Sequence, residues 1–545
     1  MAAVSVDSAN QKILGKYHLP KGAADSLTAS LHLIQLSNSL IADGYLTASL
    51  DSVSIDSTTA SGHYYVGPEY KWGNVSINTG QGEFNYLKPN QKIDYQTRFR
   101  GIIQKLNNEG YPFARVGFDS VNIVAGKING VMTLERGPLI NFDTIQVTPQ
   151  SPARTKFLAK YLRIEAGRYY NERLLRQIPK RISNLSYYEL ASPISLLFHN
   201  NHAQVSFEVE KIRVNRFDGI IGVLPNAGSA GKTLVTGEVD LSLQNLFEAG
   251  YGFDINWRKM REESQSLNLN MLLPKVFNSP IDIIGSFHQL KEDTTFVNRD
   301  ARVSGRVELA PGINFNVFVN FKNGGLLGET QELNESLSPF NADFNLNTYG
   351  IGLSVDELNQ TDLFNSGFYV RGEFSLGNKK INRNPVFDDE VYESLELESA
   401  QYQFEGEFVG RKVIGKKLQF FERFTIGAII NDNIFKNDMF RLGGAQSLRG
   451  FNENFFFATN YALSRSELRF FYEESSFFFS FFDQAWVAFK QDNLVANDFP
   501  FGFGAGVQFG TPTGDFVFSY ALGVSDDVSL QFNQSKIHFG IVSRF

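Results

Sequence analysis

The sequence predicts a chain in two parts: α+β repeats, followed by an all-β, 16-stranded antiparallel transmembrane β-barrel. Residues 1–212 mix helical and strand patterns with a period of about 70–75 residues. Residues 213–545 lose helical periodicity and show strand signals of about ten residues, separated by turn-rich stretches. No apolar run of about 18 residues occurs, so we expect strands rather than helices to cross any membrane.

Composition narrows the class of protein. The chain has 545 residues, a formal net charge of −7, no cysteine, 51 phenylalanines and 21 tyrosines. The absence of cysteine excludes thiol catalysis, disulfide scaffolds and cysteine zinc sites. The mild acidity argues against a nucleic-acid partner. The sequence has no Gly-x-Ser-x-Gly elbow and no His-Glu-x-x-His motif, so we expect no metal, no cofactor and no enzymatic activity.

The N-terminal repeats share an order of elements. Helical patterns over Ser26–Ala42 and Tyr95–Asn108 each end at Gly-Tyr, and each is followed by two strand patterns that end at Gly-Pro. A third, weaker copy begins with a strand pattern at Ile140–Val147. No convincing first strand precedes Ser26, which leaves open whether the first module is complete. The predicted boundaries are 1–67, 68–138 and 139–212 for the modules and 213–545 for the barrel.

Alternation in the second part separates two kinds of strand face. In Phe501–Gly510, for example, apolar residues oppose glycine and Gln508. Large aromatic faces opposite polar or glycine faces are typical of a barrel with lipid outside and water inside. A soluble sandwich would bury polar rows such as that of Gln401–Glu407 without water, which is costly. Short and long links also alternate, as they do in outer-membrane barrels.

The first residues, MAAVSVDSANQK, contain no basic segment followed by an apolar one. A signal peptide is therefore not predicted in this chain. Either the protein is cytosolic, or a signal has been removed and a start methionine added.

Several segments resemble motifs of the outer-membrane assembly factors, the family of BamA and TamA. The loop Arg441–Phe451, which ends in Leu448-Arg449-Gly450-Phe451, resembles the signature loop of the family. Ser466–Phe470 falls in the twelfth predicted strand, and Phe481–Ala485 resembles the Phe-x-Asp-x-Gly strand, with alanine where glycine is usual. Asn245-Leu246-Phe247, at the first short turn, also resembles the sequence of this family at that position. The resemblance covers essentially the whole chain.

The resemblance implies a fold and a layout. The modules would be POTRA domains, each β-α-α-β-β, and the barrel would be of the bacterial surface antigen type. Three modules with a barrel of this size look more like TamA than BamA. The localisation implied is the outer membrane of a Gram-negative-type bacterium, with the POTRA modules in the periplasm.

Arg449 is the central candidate residue. A long loop can fold back into a wide lumen, where a guanidinium binds carboxylates through two parallel hydrogen bonds. Glu467 and Asp483 are the expected partners, since alternation points both inward. Gly450 would permit a tight turn, and Phe451 would anchor the loop by packing. In the family this contact supports the conformation of the barrel; the alternative is an ordinary exposed loop arginine.

The closing seam is the second candidate. The first strand is predicted near Arg216–Leu224 and the last near Ile537–Phe545. The last strand carries the outer-membrane pattern in His538, Gly540 and the terminal Phe545, although Ser543 stands where an apolar residue is expected. Gly540 is expected to weaken pairing and to permit a kink or bulge. An opened seam would offer unpaired backbone to an incoming β-strand.

The resemblance and the seam together suggest an assembly, insertion or translocation factor of the outer membrane. Its partners would be unfolded outer-membrane or secreted clients, periplasmic chaperones, membrane lipid, and a TamB-like or lipoprotein partner. Two alternatives remain open. One is a two-partner secretion exporter that moves a passenger through the lumen; the other is a passive outer-membrane pore or receptor.

Overall fold

The computed structural model describes residues 2–544 except 5–7, 21–24, 57–58, 79–82, 88–94, 226–232, 260–263, 328–340, 359–362, 386–389, 394, 492–493 and 512–513. It forms two compact units. The first comprises 1–145, 164–176 and 196–205, and the second comprises 146–163, 177–195 and 206–545. No helix among the described residues is both long enough and apolar enough to cross a bilayer.

The first sheet contains a strand that the sequence pattern did not reveal. Strand β1 is only three residues long and pairs in parallel with β3, which also pairs with β2. Asp25 caps α2 by accepting a 2.7 Å hydrogen bond from the backbone N–H of Thr28. The elements are β1 (Ala2–Val4), α1 (Ser8–Leu14), α2 (Ser26–Ala42), β2 (Ser49–Ile55) and β3 (Ala60–Tyr65).

The second sheet has the order β5-β4-β7-β6, with β4 and β7 parallel. Its core is formed around Trp72, whose ring meets that of Phe99 edge-on at 5.8 Å. The β-α-α-β-β order predicts two helices after the first strand of this module. The structure has strand β5 in place of the first helix, so α3 is the one helix among the described residues of the module. The elements are β4 (Lys71–Asn78), β5 (Glu83–Leu87), α3 (Tyr95–Asn108), β6 (Arg115–Val124) and β7 (Lys127–Glu135).

The third group of elements surrounds strand β12, which pairs with β8 and β9 in parallel and with β10 antiparallel. Ser151 caps α4, and Pro152 occupies its first turn, where the missing N–H costs nothing. The elements are β8 (Asn141–Phe142), β9 (Gln146–Thr148), α4 (Pro152–Leu162), α5 (Glu172–Ser183), β10 (Tyr188–Leu190), β11 (Ser195–His199) and β12 (His202–Lys211).

Helix α4 and the end of α5 belong to the second unit, where they contact the short turns of the large sheet. Arg181 is fully buried and its Nη1 lies 2.6 Å from Glu308 Oε2, whereas the neighbouring Lys180 pairs with Glu357 at the surface. Arg154 lies 2.8 Å from Glu248. Hydrogen bonds from Lys211 and Ser151, together with the charge of Arg154, lower the pKa of Glu248 to about 2.

The rest of the chain forms one antiparallel sheet that matches a large β-barrel, as the sequence predicts. Its strands are β13 (Arg216–Pro225), β14 (Thr233–Leu246), β15 (Tyr251–Lys259), β16 (Gln265–Leu273), β17 (Ile281–Glu292), β18 (Phe296–Ala310), β19 (Ile313–Leu326), β20 (Phe344–Asp356), β21 (Gly367–Ile381), β22 (Glu398–Ile414), β23 (Leu418–Ile430), β26 (Asn460–Phe471), β27 (Phe477–Gln491), β28 (Leu494–Asp498), β29 (Phe501–Thr511), β30 (Gly514–Val524) and β31 (Lys536–Arg544).

Five short elements lie between these strands in the described part of the chain. Strands β24 (Phe440–Leu442) and β25 (Phe456–Ala458) form a separate hairpin inside the connection between β23 and β26. Helix α6 (Glu390–Glu393) and two 3₁₀ turns, at Val276–Asn278 and Phe532–Gln534, lie in other connections.

Strands β28 and β29 occupy one place in the sheet. Both pair with β27 in the same register, β28 with its second half and β29 with its first half. Pro500 lies between them, and its carbonyl accepts the N–H of Ala485 at 2.8 Å. Proline cannot donate to a ladder, so it interrupts the strand without shifting the register.

The two faces of the sheet differ in chemistry. Inward residues pair by charge, as in the two 3.0 Å bonds that join Arg302 to Glu373. Glu422 is an exception on the outward face, where it accepts hydrogen bonds from Ser464 and Ser466. The outward face otherwise exposes large apolar side chains, among them Val303, Val317, Tyr349, Ile351, Phe374, Phe404, Phe424, Phe478, Phe482, Trp486, Phe518 and Phe539.

The lumen is not polar throughout, contrary to the simple alternation that the sequence suggests. Phe477, Phe479 and Phe481 on β27 point inward and are buried. Glycines on β29 make room for them: a Cβ at Gly504 would lie 2.7 Å from the Phe481 ring, and one at Gly506 would lie 2.4 Å from the Phe479 ring. One wall of the barrel therefore carries an internal aromatic row.

Candidate functional site

The structure brings Arg449 together with both carboxylates that the sequence analysis selected. Arg449 lies in the connection between β24 and β25, Glu467 lies on β26 and Asp483 lies on β27. All three side chains are buried, with exposed fractions of 5%, 8% and 0%. Arg449 is therefore not an ordinary exposed loop arginine.

Asp483 holds Arg449 through three hydrogen bonds. The guanidinium donates from Nε to Oδ2 at 2.7 Å and from Nη2 to Oδ1 at 2.6 Å, while the backbone N–H donates to Oδ2 at 3.1 Å. Nη1 donates to Glu467 Oε1 at 2.7 Å. Two parallel bonds fix the plane of the guanidinium as well as its position, so the loop is held in one orientation.

Two further arginines, absent from the site predicted from sequence, complete the charge network. Arg469 donates from Nε to Glu467 Oε2 at 2.8 Å. Arg465 donates to the backbone carbonyl of Gln446 at 2.8 Å and lies 3.9 Å from Asp483. The sequence could have identified them through the alternation of β26, because alternation places Arg465, Glu467 and Arg469 on one face of the strand.

The loop lies directly against the barrel wall because the wall residues beneath it are glycines. A Cβ at Gly502 would lie 1.9 Å from the carbonyl oxygen of Arg449, and one at Gly523 would lie 2.7 Å from that of Gly450. Gly450 itself has a φ of +96°, and a Cβ there would lie 2.6 Å from the backbone of Leu522. The turn at Gly450 therefore requires glycine, and so do the wall positions Gly502 and Gly523, which we call the glycine seat of the loop.

Apolar packing surrounds the ion pairs. Leu448 is fully buried and Phe451 is 3% exposed; both belong to a cluster that includes Leu463 and Ala485. The centre of the Phe481 ring lies 3.7 Å from the guanidinium carbon of Arg449. Such enclosure strengthens each ionic hydrogen bond and makes an unpaired charge costly.

The predicted seam residues fall on β31. Strand β13 meets β31 at only two residue pairs among the described residues, Arg216–Arg544 and Phe217–Ser543. By contrast, β13 pairs with β14 along its whole length. The terminal Phe545 lies outside the described residues, so its place in the seam stays a prediction.

Gly540 does not form the kink or bulge that the sequence analysis allowed. It pairs regularly with Val517 of β30, and a Cβ there would meet no atom within 4 Å among the described residues. His538 pairs with Ser519, and its buried Nε2 has no hydrogen-bond partner in the described part of the chain. The seam therefore differs from the other strand pairs in its short pairing with β13 and not in a distortion at Gly540.

Arg449, Glu467 and Asp483 form a structural contact that fixes the loop to the barrel wall, and we call it the Arg449 lock. Every carboxylate oxygen of Asp483 and Glu467 accepts a hydrogen bond from an arginine side chain. Among the described residues, no cluster of three or more histidine, aspartate or glutamate side chains could hold a metal ion. The arrangement can hold a loop in place, and it presents no nucleophile beside a base.

Comparison with solved structures identifies the fold of the chain. No protein-family model matches the chain, and no curated protein matches it. The structure of CdiB from Escherichia coli aligns with a TM-score of 0.56 at 13% identity, and CdiB from Acinetobacter baumannii aligns with a TM-score of 0.56 at 12% identity. Each alignment covers 96% of this chain and 100% of the other. The chain therefore shares the fold of these proteins.

A structure of BamA from Haemophilus ducreyi lacking POTRA domains 1–3 also aligns. The alignment covers 87% of this chain and 100% of the BamA chain, with 13% identity and a TM-score of 0.45. A TM-score this low does not establish a shared fold.

Proposed function

We propose that the chain is an outer-membrane β-barrel protein of the assembly-factor type, which inserts or translocates client proteins and templates client strands at its seam. The outward apolar face and the fold shared with CdiB support the membrane location. The TamA-like layout and the POTRA character of the N-terminal modules belong to the same proposal. We also propose that the protein catalyses no chemical reaction.

The short seam is the observation that carries this proposal. Beyond Phe217 and Ser543, the described parts of β13 and β31 make no pairing with each other. An unpaired backbone group in lipid costs several kcal/mol, so a client strand that adds to this edge would be strongly favoured. The Arg449 lock sits on β26 and β27 and packs on β29 and β30, so it stiffens the wall next to the seam.

The test is insertion of a client. The full chain is placed in liposomes, a urea-unfolded small barrel protein is supplied with a periplasmic chaperone, and protease resistance is followed against empty liposomes. Because the chain has no cysteine, Phe217→Cys with Ser543→Cys introduces the only thiols, at paired seam positions. Val303→Cys with Val319→Cys, paired between β18 and β19, is the matched control.

We expect the wild type to accelerate insertion, oxidation of the seam pair to abolish the acceleration, and reduction to restore it. The control pair should be unaffected by oxidation. Acceleration that survives the locked seam would reject templating there. If the wild type gives no acceleration but passes a secreted passenger across the membrane, the exporter alternative gains support.

A further inference from the structure

The connection between β23 and β26, which carries Arg449, also carries a buried carboxylate, that of Asp438. Asp438 is fully buried, and its two carboxylate oxygens each accept a 2.8 Å bond, Oδ1 from Lys322 Nζ and Oδ2 from Lys379 Nζ. Lys379 is also fully buried and donates to the backbone carbonyl of Asn433 at 2.7 Å. The loop is thus tied to β19 and β21 by a buried charge triad.

Aromatic rings enclose this triad. The Lys379 ammonium lies 4.9 Å from the ring centre of Phe344 and 4.8 Å from that of Phe435. A desolvated ammonium over aromatic faces is stabilised only while its carboxylate partner stays in place. The triad is therefore unlike the exposed ion pairs of the barrel, which water screens.

The next residue adds neutral contacts at the same place. Asn437 accepts the N–H of Ala342 at 3.1 Å and donates to the Ala342 carbonyl at 2.9 Å. Asn298 on β18 donates to the Asn437 carbonyl. One end of the loop is consequently bound to β18, β19, β21 and the segment before β20.

Contacts of the loop reach nearly opposite sides of the barrel. In sheet order β18, which binds Asn437, is sixth, and β27, which binds Arg449, is thirteenth. Seven places separate these strands, and eight separate opposite strands of a sixteen-stranded barrel. Sixteen strands about 4.8 Å apart and tilted by about 40° enclose a diameter of roughly 32 Å. Asp438 and Arg449 are eleven residues apart, and eleven residues reach about 36–40 Å when extended. The loop therefore has the length to cross the lumen, and its contacts place it there.

We propose that Asp438, Lys322 and Lys379 form a latch that holds this loop across the lumen as a gate against the passage of ions and polypeptides. Arg449 is the fixed end, because its paired hydrogen bonds to Asp483 are directional. The latch is the releasable end, because a lysine ammonium is a point charge without a fork geometry. This inference rests on the proposed membrane-embedded barrel but not on insertion activity.

Ion conductance of the full chain in planar lipid bilayers tests the latch. The variants are Asp438→Asn and Lys379→Met; the matched control is Asp432→Asn, an exposed carboxylate in the same loop. We expect the wild type and the control to stay mostly closed, and each latch variant to spend at least about tenfold more time open. Retention of compact migration on unheated gels shows that each variant has folded.

A reversible crosslink locates the opening. Ala342→Cys with Asn437→Cys joins two positions that touch at the latch, in a chain with no other thiol. In the Asp438→Asn background, oxidation should close the channel and reduction should reopen it. Latch variants as closed as the wild type, or conductance that ignores oxidation, would overturn the proposal. If the latch variants open the channel but the wild type shows no insertion activity, the proposed function is refuted and the latch proposal stands.

Discussion

Replacing Arg449 with alanine is the sharpest perturbation of the lock. It removes three side-chain hydrogen bonds to buried carboxylates and leaves Asp483, which is fully buried, with Arg465 at 3.9 Å as its nearest cation. Glu467 keeps Arg469. The backbone N–H of residue 449 can still donate to Asp483, so the loss is confined to the side chain.

The expected magnitude follows from this burial. Removing one partner of a buried ion pair costs about 3–5 kcal/mol, since the other charge stays in a low dielectric without compensation. Arg423→Ala is the matched control: its pair with Glu407 has a 2.7 Å contact, but the arginine side chain is 40% exposed. Exposed pairs contribute about 0–1 kcal/mol.

Denaturant unfolding of the full chain in detergent micelles measures both variants. Tryptophan fluorescence reports on the three tryptophans of the chain, of which Trp486 lies in β27, and gel migration reports on the folded barrel. We expect Arg449→Ala to lower the free energy of unfolding by about 3–5 kcal/mol and Arg423→Ala by less than about 1 kcal/mol. Arg449→Lys should fall between them, because it keeps the charge and loses the paired bonds. Equal effects of Arg449→Ala and Arg423→Ala would refute the reasoning.

Three other predictions concern the seat of the loop and the third group of elements. Gly502→Val should displace the loop and raise its protease sensitivity, whereas Gly540→Ala, whose Cβ meets nothing, should not. Arg181→Met should lower the unfolding free energy by about 3 kcal/mol or more, and the surface change Lys180→Met by less than about 1 kcal/mol, in the same denaturant assay. The low pKa of Glu248 stabilises the fold above its ordinary value of 4.5, and this stability is lost as pH falls toward 2. Glu248→Gln should flatten that part of the pH profile of the melting temperature, and an unchanged profile would exclude the effect.

Much of the candidate site could be predicted, because alternation fixes which face a strand residue occupies. Glu467 and Asp483 were selected on that basis, and both meet Arg449. The glycine seat at Gly502 and Gly523 could not be found this way. It depends on which strand lies beneath the loop, and a glycine in a strand carries no pattern that says what approaches it.

The anchor at Asp438 lay beyond sequence reasoning for a different reason. Its partners, Lys322 and Lys379, are 116 and 59 residues away along the chain, and no local pattern marks a loop carboxylate that will be buried. Strand β1 was missed because three residues are too few to show alternation.

The sequence by itself determined the strand periodicity of the second part, the inward or outward direction of most of its side chains, and the short and long links. These follow from local sterics and from the two-residue period of a strand. The tertiary structure alone decided the short pairing of β13 with β31, the aromatic row inside the lumen and the crossing of the loop. Each of these depends on contacts between segments distant in sequence, which exist only once the sheet has curved into a barrel.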